Sequence, residues 1–267
     1  PMNANTIMTV SAFLALIPAT VYVLKPRESR DLGFWAVALV ALAGPLGWSL
    51  VQLSGEWHTG FSATLWLIVS SCTLLFILTS ALTSHGWRLA PLLLPYLLLL
   101  GGLAAVWSQA PERPLMGMAL DPWLRLHILF SLVSYGLLTL AAVSGLAVFL
   151  HERALKQKIR PAFNSLLPSV MDSEALELQM LRAAESVLGL GILTGMATLY
   201  FETGRVMAFD HKTLFSLLAF GIIAVLLVMR TRTGVRGRQA ARFVLLAYLL
   251  LTLGYPGVKF VTDVLMG

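Results

Sequence analysis

The chain has 267 residues, 58% of them hydrophobic and 12% charged, with a mean hydropathy of +0.81, a balance that no water-soluble domain keeps. Its formal charge of +6 is distributed by side along the loops, which excludes a nucleic-acid-binding patch and points instead to membrane topology with some anionic lipid contact. The single cysteine, Cys72, lies inside an apolar run, which excludes a disulfide framework and any Cys-based metal or cofactor-attachment motif.

Apolar runs fall at 4–24, 34–53, 63–83, 89–107, 123–150, 182–201, 211–229 and 240–263. Each approximates the ~20 residues that a helix needs to cross a bilayer. They predict an all-α, polytopic transmembrane bundle of about eight spans, one integral membrane domain over 1–267. The first run has no basic segment ahead of it and no small-residue cleavage site, so it reads as a retained span. Alternate loops carry Lys25, Arg27 and Arg30; Arg88; Arg153, Lys156, Lys158, Arg160 and Arg182; and Arg230, Arg232, Arg236, Arg238 and Arg242, which is 14 of the 19 basic residues. Cytoplasmic loops accumulate Lys and Arg, so both termini are expected on the outer (periplasmic) face of a bacterial inner membrane. Pro18, Pro45, Pro91 and Pro95 fall inside spans and read as kinks. The longest break, 151–181, reads as a cytoplasmic strap, with Asp172 or Ser173 as N-cap of a sixth helix that begins before the membrane. No phosphate-binding loop, zinc-protease motif, nucleophile elbow or intramembrane carboxylate pair is present, which argues against hydrolysis and pumping.

The five histidines separate by depth. His127 opens the fifth span in DPWLRLHILFSLVSYG and His211 opens the seventh in VMAFDHKTLFSLL, both from the outer side. His85 and His151 sit at inner ends of spans, where a positive charge suits the helix dipole, and His58 lies in the outer loop EWHTG. An ionisable or metal-ligating side chain at membrane depth is a functional hypothesis by default. His127 and His211 share a side and a depth at helix starts. Two readings fit that placement: imidazoles facing one another across a planar cofactor, for which axial ligation of haem iron is the matching chemistry, or interfacial histidines among headgroups and water. In the first reading His127, Ser131, Ser134, Leu138, Ala142 and Gly145 form a polar and small-residue stripe on one face of the fifth span. Arg125, Arg205 and Lys212 are then the outer cations nearest to two propionates, and Asp210 is placed to accept the second ring N–H of His211. Gly191-x-x-x-Gly195 in the sixth span reads as a helix-packing motif, and the tryptophans as interfacial anchors.

The string HILFSLVSYGLLTLAAVSGLAVFL (127–150) resembles the H-x3-S-x2-SY start of the core of the cytochrome c assembly (CcsA/CcmC-type) family of haem-handling membrane proteins. FDHKT (209–213), followed by GVRGR (234–238), is similar to that family's tryptophan-rich platform and its later glycine–arginine loop. The resemblance covers 123–263, and the size is most like the small, eight-span YpjD/HemX-like branch. It implies that His127 is an outer-face haem ligand. Met207 and Phe209 stand where the family has platform tryptophans, His211 where it has a proline and Thr213 where it has a glutamate. The family's second outer-face histidine has no counterpart after the last matched span, and His211 is expected to take over its job. The function implied is holding, shuttling or sensing b-type, non-covalent haem at the outer leaflet, linked to cytochrome c maturation or haem homeostasis, which is handling rather than catalysis. Alternatives are a cofactor-free scaffold or regulatory subunit acting through its cytoplasmic loops and a b-type electron carrier to quinone. The partners implied are the lipid bilayer and other membrane or cytochrome assembly proteins.

Overall fold

The computed structural model describes residues 4–54, 58–109, 113–114, 122–159, 161–208 and 210–265. Among them eight helices are long and apolar enough to cross a membrane, and the chain is a polytopic α-helical membrane protein. They are α1 (Ala4–Val23), α2 (Leu32–Ser54), α3 (Phe61–Leu82), α4 (Ala90–Val106), α5 (Pro122–Lys156), α6 (Val170–Thr203), α7 (His211–Arg232) and α8 (Gly237–Thr252). α8 continues through π-helical turns at Leu253–Gly257 and Val261–Leu265. Strand pairing among the described residues is confined to β1 (His58–Thr59) and β2 (Arg113–Pro114), antiparallel with His58 opposite Pro114.

Two boundaries differ from the sequence reading. The helix formers of HERALK carry α5 on to Lys156, and α6 starts at Val170, so the break between them shrinks to 157–169. Asp172 and Ser173 therefore lie in the first turns of α6 instead of capping it, and the Asp172 charge still suits the helix dipole there. Pro91 lies in the first turn of α4, where its missing N–H costs no hydrogen bond. It is not a kink.

The described residues within 1–114, 154–169 and 259–267 form one compact unit. Lipid tails give apolar helices no hydrophobic reason to associate, so close packing and hydrogen bonds between helices must hold the unit together. Trp48 Nε1 donates to Thr9 Oγ1 at 3.1 Å between α2 and α1, and the Ser49 and Ser70 hydroxyls meet at 3.0 Å between α2 and α3. Ser62 Oγ donates to the Ala104 carbonyl at 2.8 Å between α3 and α4, and α4 packs back on α1. The centre is aromatic: Trp66 and Phe76 are fully buried, and Phe34 meets Phe76 edge-on at 6.2 Å.

The described residues within 115–153 and 170–258 form the second unit, again a ring of four helices. α5 meets α8 through Tyr135, whose hydroxyl lies 3.2 Å from the Tyr248 hydroxyl and 3.0 Å from Thr252 Oγ1. One end of this ring is clamped by carboxylates. Arg230 Nη2, at the end of α7, donates to Glu177 Oε2 on α6 at 2.6 Å, and both side chains are buried. Glu174 Oε1 accepts the Gly237 N–H at 2.7 Å, and Glu152 Oε1 accepts the Arg238 N–H at 3.3 Å. Two carboxylates from α5 and α6 thus cap the first turn of α8, where negative charge is stabilising. Gly237 has φ +62°, and a side chain there would collide with the Glu152 carboxylate, so the clamp needs a glycine.

Candidate functional site

At the other end of the second unit, α5 places His127 half-buried in its second turn, facing α6. His127 Nδ1 lies 2.9 Å from the Gly191 carbonyl oxygen. A carbonyl can only accept, so Nδ1 carries the proton and Nε2 keeps a lone pair free for a ligand. One turn along α6, a Cβ on Gly195 would stand 2.8 Å from His127 Cε1 and 3.0 Å from Nδ1. The ring rests where any other residue would put a side chain. Gly191 and Gly195, which the spacing presents as a helix-packing motif, are the seat of this imidazole.

His127 opens on a cavity of about 270 Å³ enclosed by α5, α6, residues 206–208 and the start of α7. One wall is apolar, with Leu188, Ile192, Leu199 and Leu217; Met196 and Met207 add two thioethers; Ser131, Asp210, Lys212 and Ser216 are the polar lining. Ser134, a turn deeper, is buried and donates to the Ser131 carbonyl at 3.0 Å. At the same end Trp123 on α5 stacks on Phe201 of α6, with ring centroids 6.1 Å apart and planes at 20°.

Asp210 is the N-cap of α7 and accepts the Thr213 N–H at 2.8 Å. Partial burial pushes its carboxyl up, but the Thr213 hydrogen bonds and the neighbouring Lys212 and His211 charges outweigh that and hold it below the usual carboxylate range. It enters the cavity ionised, beside the Lys212 cation.

Four of the residues singled out in the sequence, His127, Ser131, Asp210 and Lys212, are gathered on this cavity. Arg125, Arg205 and His211 are exposed and outside its lining, although His211 stands between two lining residues as the first residue of α7. Phe209 and the His58 side chain lie outside the described residues. His85 precedes a short 3₁₀ turn, with its Nδ1 3.0 Å from Ser84 Oγ, and His151 lies within α5, which runs five residues past it. Sequence reasoning did not identify Met196, Ser216 or the role of the two glycines. The signal for the glycines is a G-x-x-x-G on α6 at the level of a histidine on the preceding span; Met196 and Ser216 carry no such signal.

Among the described residues no three His, Cys, Asp or Glu side chains gather as a metal cage. A single imidazole is nevertheless sufficient for a metal already held by a macrocycle. The donor set here fits that requirement: one imidazole with a fixed tautomer, small and apolar walls, and one cation. The volume falls just below the ~300–1,000 Å³ common for ligand pockets, so there is room for only part of a haem-sized ring.

The family model described as cytochrome C assembly protein matches residues 29–266, extending well N-terminal of the segment that carries the resemblance in the sequence. The chain is 50% identical to a 28.8 kDa protein of the nifR3-like 5' region of Azospirillum brasilense over the whole of both chains. It is 28% identical to the inner membrane protein YpjD of Escherichia coli (strain K12), covering 73% of this chain and 71% of the relative. It is 25% identical to the cytochrome c biogenesis protein CcsA of Parasynechococcus marenigrum (strain WH8102), covering 97% and 94%. Fold, membrane spans and this match agree, and the chain belongs to the cytochrome c assembly protein family.

Proposed function

We propose that the protein binds b-type haem at the outer leaflet of a bacterial inner membrane and holds, shuttles or senses it there, in the service of cytochrome c maturation or haem homeostasis. The observation that carries this reading is His127, with its proton fixed on Nδ1 by the Gly191 carbonyl and its Nε2 free beside a cavity that also holds Lys212. A histidine whose far nitrogen donates to a backbone carbonyl is oriented and made a better donor to a metal. Haem supplies an iron centre that takes axial ligands and changes oxidation state. His127 offers the first axial nitrogen, and Lys212 offers the cation for a propionate, with exposed Arg125 and Arg205 as further counter-charges. His211, flanked by Asp210 and Lys212, is the proposed second ligand. Ser131 and Ser216 add hydroxyls to the polar lining. Cys72 is buried inside α3, so the attachment proposed is non-covalent. Membership of a family with relatives named for cytochrome c biogenesis supports the reading. So does the concentration of 14 of 19 basic residues on alternate loops, which by the positive-inside rule favours an outer location for the His127 end and both termini.

The test is the absorption spectrum of detergent-purified protein with pyridine haemochrome quantitation. The expected result is a Soret band and about one haem per chain, one for the His127 cavity. His127→Ala loses the band, and His211→Ala keeps haem but changes its spin state. A colourless preparation from haem-replete cells contradicts the proposal.

A further inference from the structure

The first unit carries a second cleft at the end where α1 passes into α2 and α3 into α4. Lys25, Arg27 and Arg88 line it together with Trp87 and Phe34, and Leu166 of the 3₁₀ turn between α5 and α6 closes one side. Its volume, about 20 Å³, is just above the ~10–15 Å³ that admits one water-sized group. A single oxo-anion oxygen fits there, and a whole metabolite does not.

The cations of these two turns have different duties. Arg30 is committed to the end of α3: its Nη1 donates to the Ser80 carbonyl and, at 3.1 Å, to the Thr83 carbonyl. Arg27 lies over the Tyr22 ring at 3.4 Å and pairs with Asp31 at 2.6 Å, yet its Nε has no hydrogen-bond partner. Asp31 is occupied in turn, accepting from the Phe34 N–H at 2.8 Å and from the Tyr22 hydroxyl at 2.9 Å. Lys25 and Arg88 form no ion pair among the described residues, and the Arg88 guanidinium stands 5.3 Å from the Trp87 ring centre. Glu28, the other carboxylate of the turn, is exposed and outside the lining. Two uncompensated cations, Lys25 and Arg88, therefore meet beside the Asp31-paired Arg27 in a cleft too small to hold anything but part of an anion.

We propose that this cleft seats one phosphate oxygen of an anionic phospholipid at the cytoplasmic membrane surface, the rest of the headgroup lying outside it. The other walls, Val23, Ala90, Pro91 and Phe34, are apolar and lie at span ends, with a tryptophan at the level where such rings anchor. A phosphate arriving on acyl chains meets these walls favourably, whereas a freely hydrated one loses its water against them. The cytoplasmic leaflet is where anionic lipid and basic residues meet.

The experiment is native mass spectrometry of the full-length protein in neutral detergent, titrated with dioleoyl phosphatidylglycerol and, separately, dioleoyl phosphatidylcholine. At roughly a factor of five for each basic residue near an anionic surface, wild type retains phosphatidylglycerol at least about tenfold over phosphatidylcholine. The double variant Lys25→Gln/Arg88→Gln falls to the phosphatidylcholine level, and Arg232→Gln, at the basic end of the other unit, changes nothing. Equal retention of the two lipids by wild type overturns the proposal whether or not the double variant folds. An equal loss in Arg232→Gln also overturns it, because the effect is then undifferentiated surface charge. Displacement of phosphatidylglycerol by millimolar inorganic phosphate overturns the lipid assignment in favour of a free-anion site.

Discussion

Each unit gathers four of the eight spanning helices, and the two are packed with different side chains. In the first, α3 buries fourteen of its 22 residues, with Trp66 and Phe76 completely enclosed. In the second, α7 buries three of 22, Ala219, Ile223 and Leu226, and its first turns border a cavity. In a lipid-solvated bundle, where apolar surface alone does not drive helices together, interlocking large rings make a scaffold. Gly191, Gly195, Ser131 and Ser216 leave room around His127. The second unit offsets its open end with the carboxylate clamp at the other, where Glu177, Glu174 and Glu152 tie α6 and α5 to α7 and α8. The clamp and the candidate site thereby lie at opposite ends of one set of helices.

Substitutions that break this contrast are expected to rank as follows, by thermal melting of the detergent-solubilised chain unless another readout is named. Trp66→Ala removes the largest buried ring of the filled unit and costs about 3–5 kcal/mol; a loss below about 1 kcal/mol would mean that the first unit is not a tightly packed scaffold. Glu177→Ala leaves Arg230 buried and unpaired and costs about 3 kcal/mol or slightly more, while Glu177→Leu/Arg230→Leu recovers most of it, because breaking a buried pair is worse than replacing it. A double variant as unstable as the single one would assign the effect to packing instead of charge. Gly195→Ala forces a methyl into the His127 ring, costs about 1–3 kcal/mol by overpacking and displaces the imidazole, so haem content falls with it; unchanged haem content would separate the glycine from the site. Asp210→Ala removes the α7 cap and costs about 1 kcal/mol. Because the Asp210 pKa lies below its unfolded value, that stabilisation is fully present above the unfolded carboxylate pKa of about 3.9 and disappears as pH falls through the still lower folded value. Wild type and variant melts should therefore differ at neutral pH and converge only in strong acid. Leu217→Ala, which enlarges an existing cavity, costs under about 1 kcal/mol because one side of that residue already lacks partners.

The spans were legible because each is a run of about twenty apolar residues between charges. His127 was legible because an imidazole at the start of a span stands out against that background. Gly191 and Gly195 were legible as a flat helix face, but spacing does not say whether a helix or a side chain fills it. The Glu177–Arg230 pair was hidden because its members are 53 residues apart and each reads as an ordinary charge near a basic loop. The difference between Asp210 and Lys212, which line the cavity, and His211, which does not, is one step of helix phase at a start whose cap sets the rotation. Sequence alone does not fix that rotation.

The most direct test of the His127 seat is chemical rescue: pyridine haemochrome quantitation of wild type and His127→Ala, each purified with and without added imidazole. The expected result is haem in wild type, its loss in His127→Ala at an unchanged melting temperature, and its return when free imidazole occupies the vacated seat between Gly191 and Gly195. Haem retained by His127→Ala at the wild-type ratio without imidazole would contradict the assignment of His127 as the ligand.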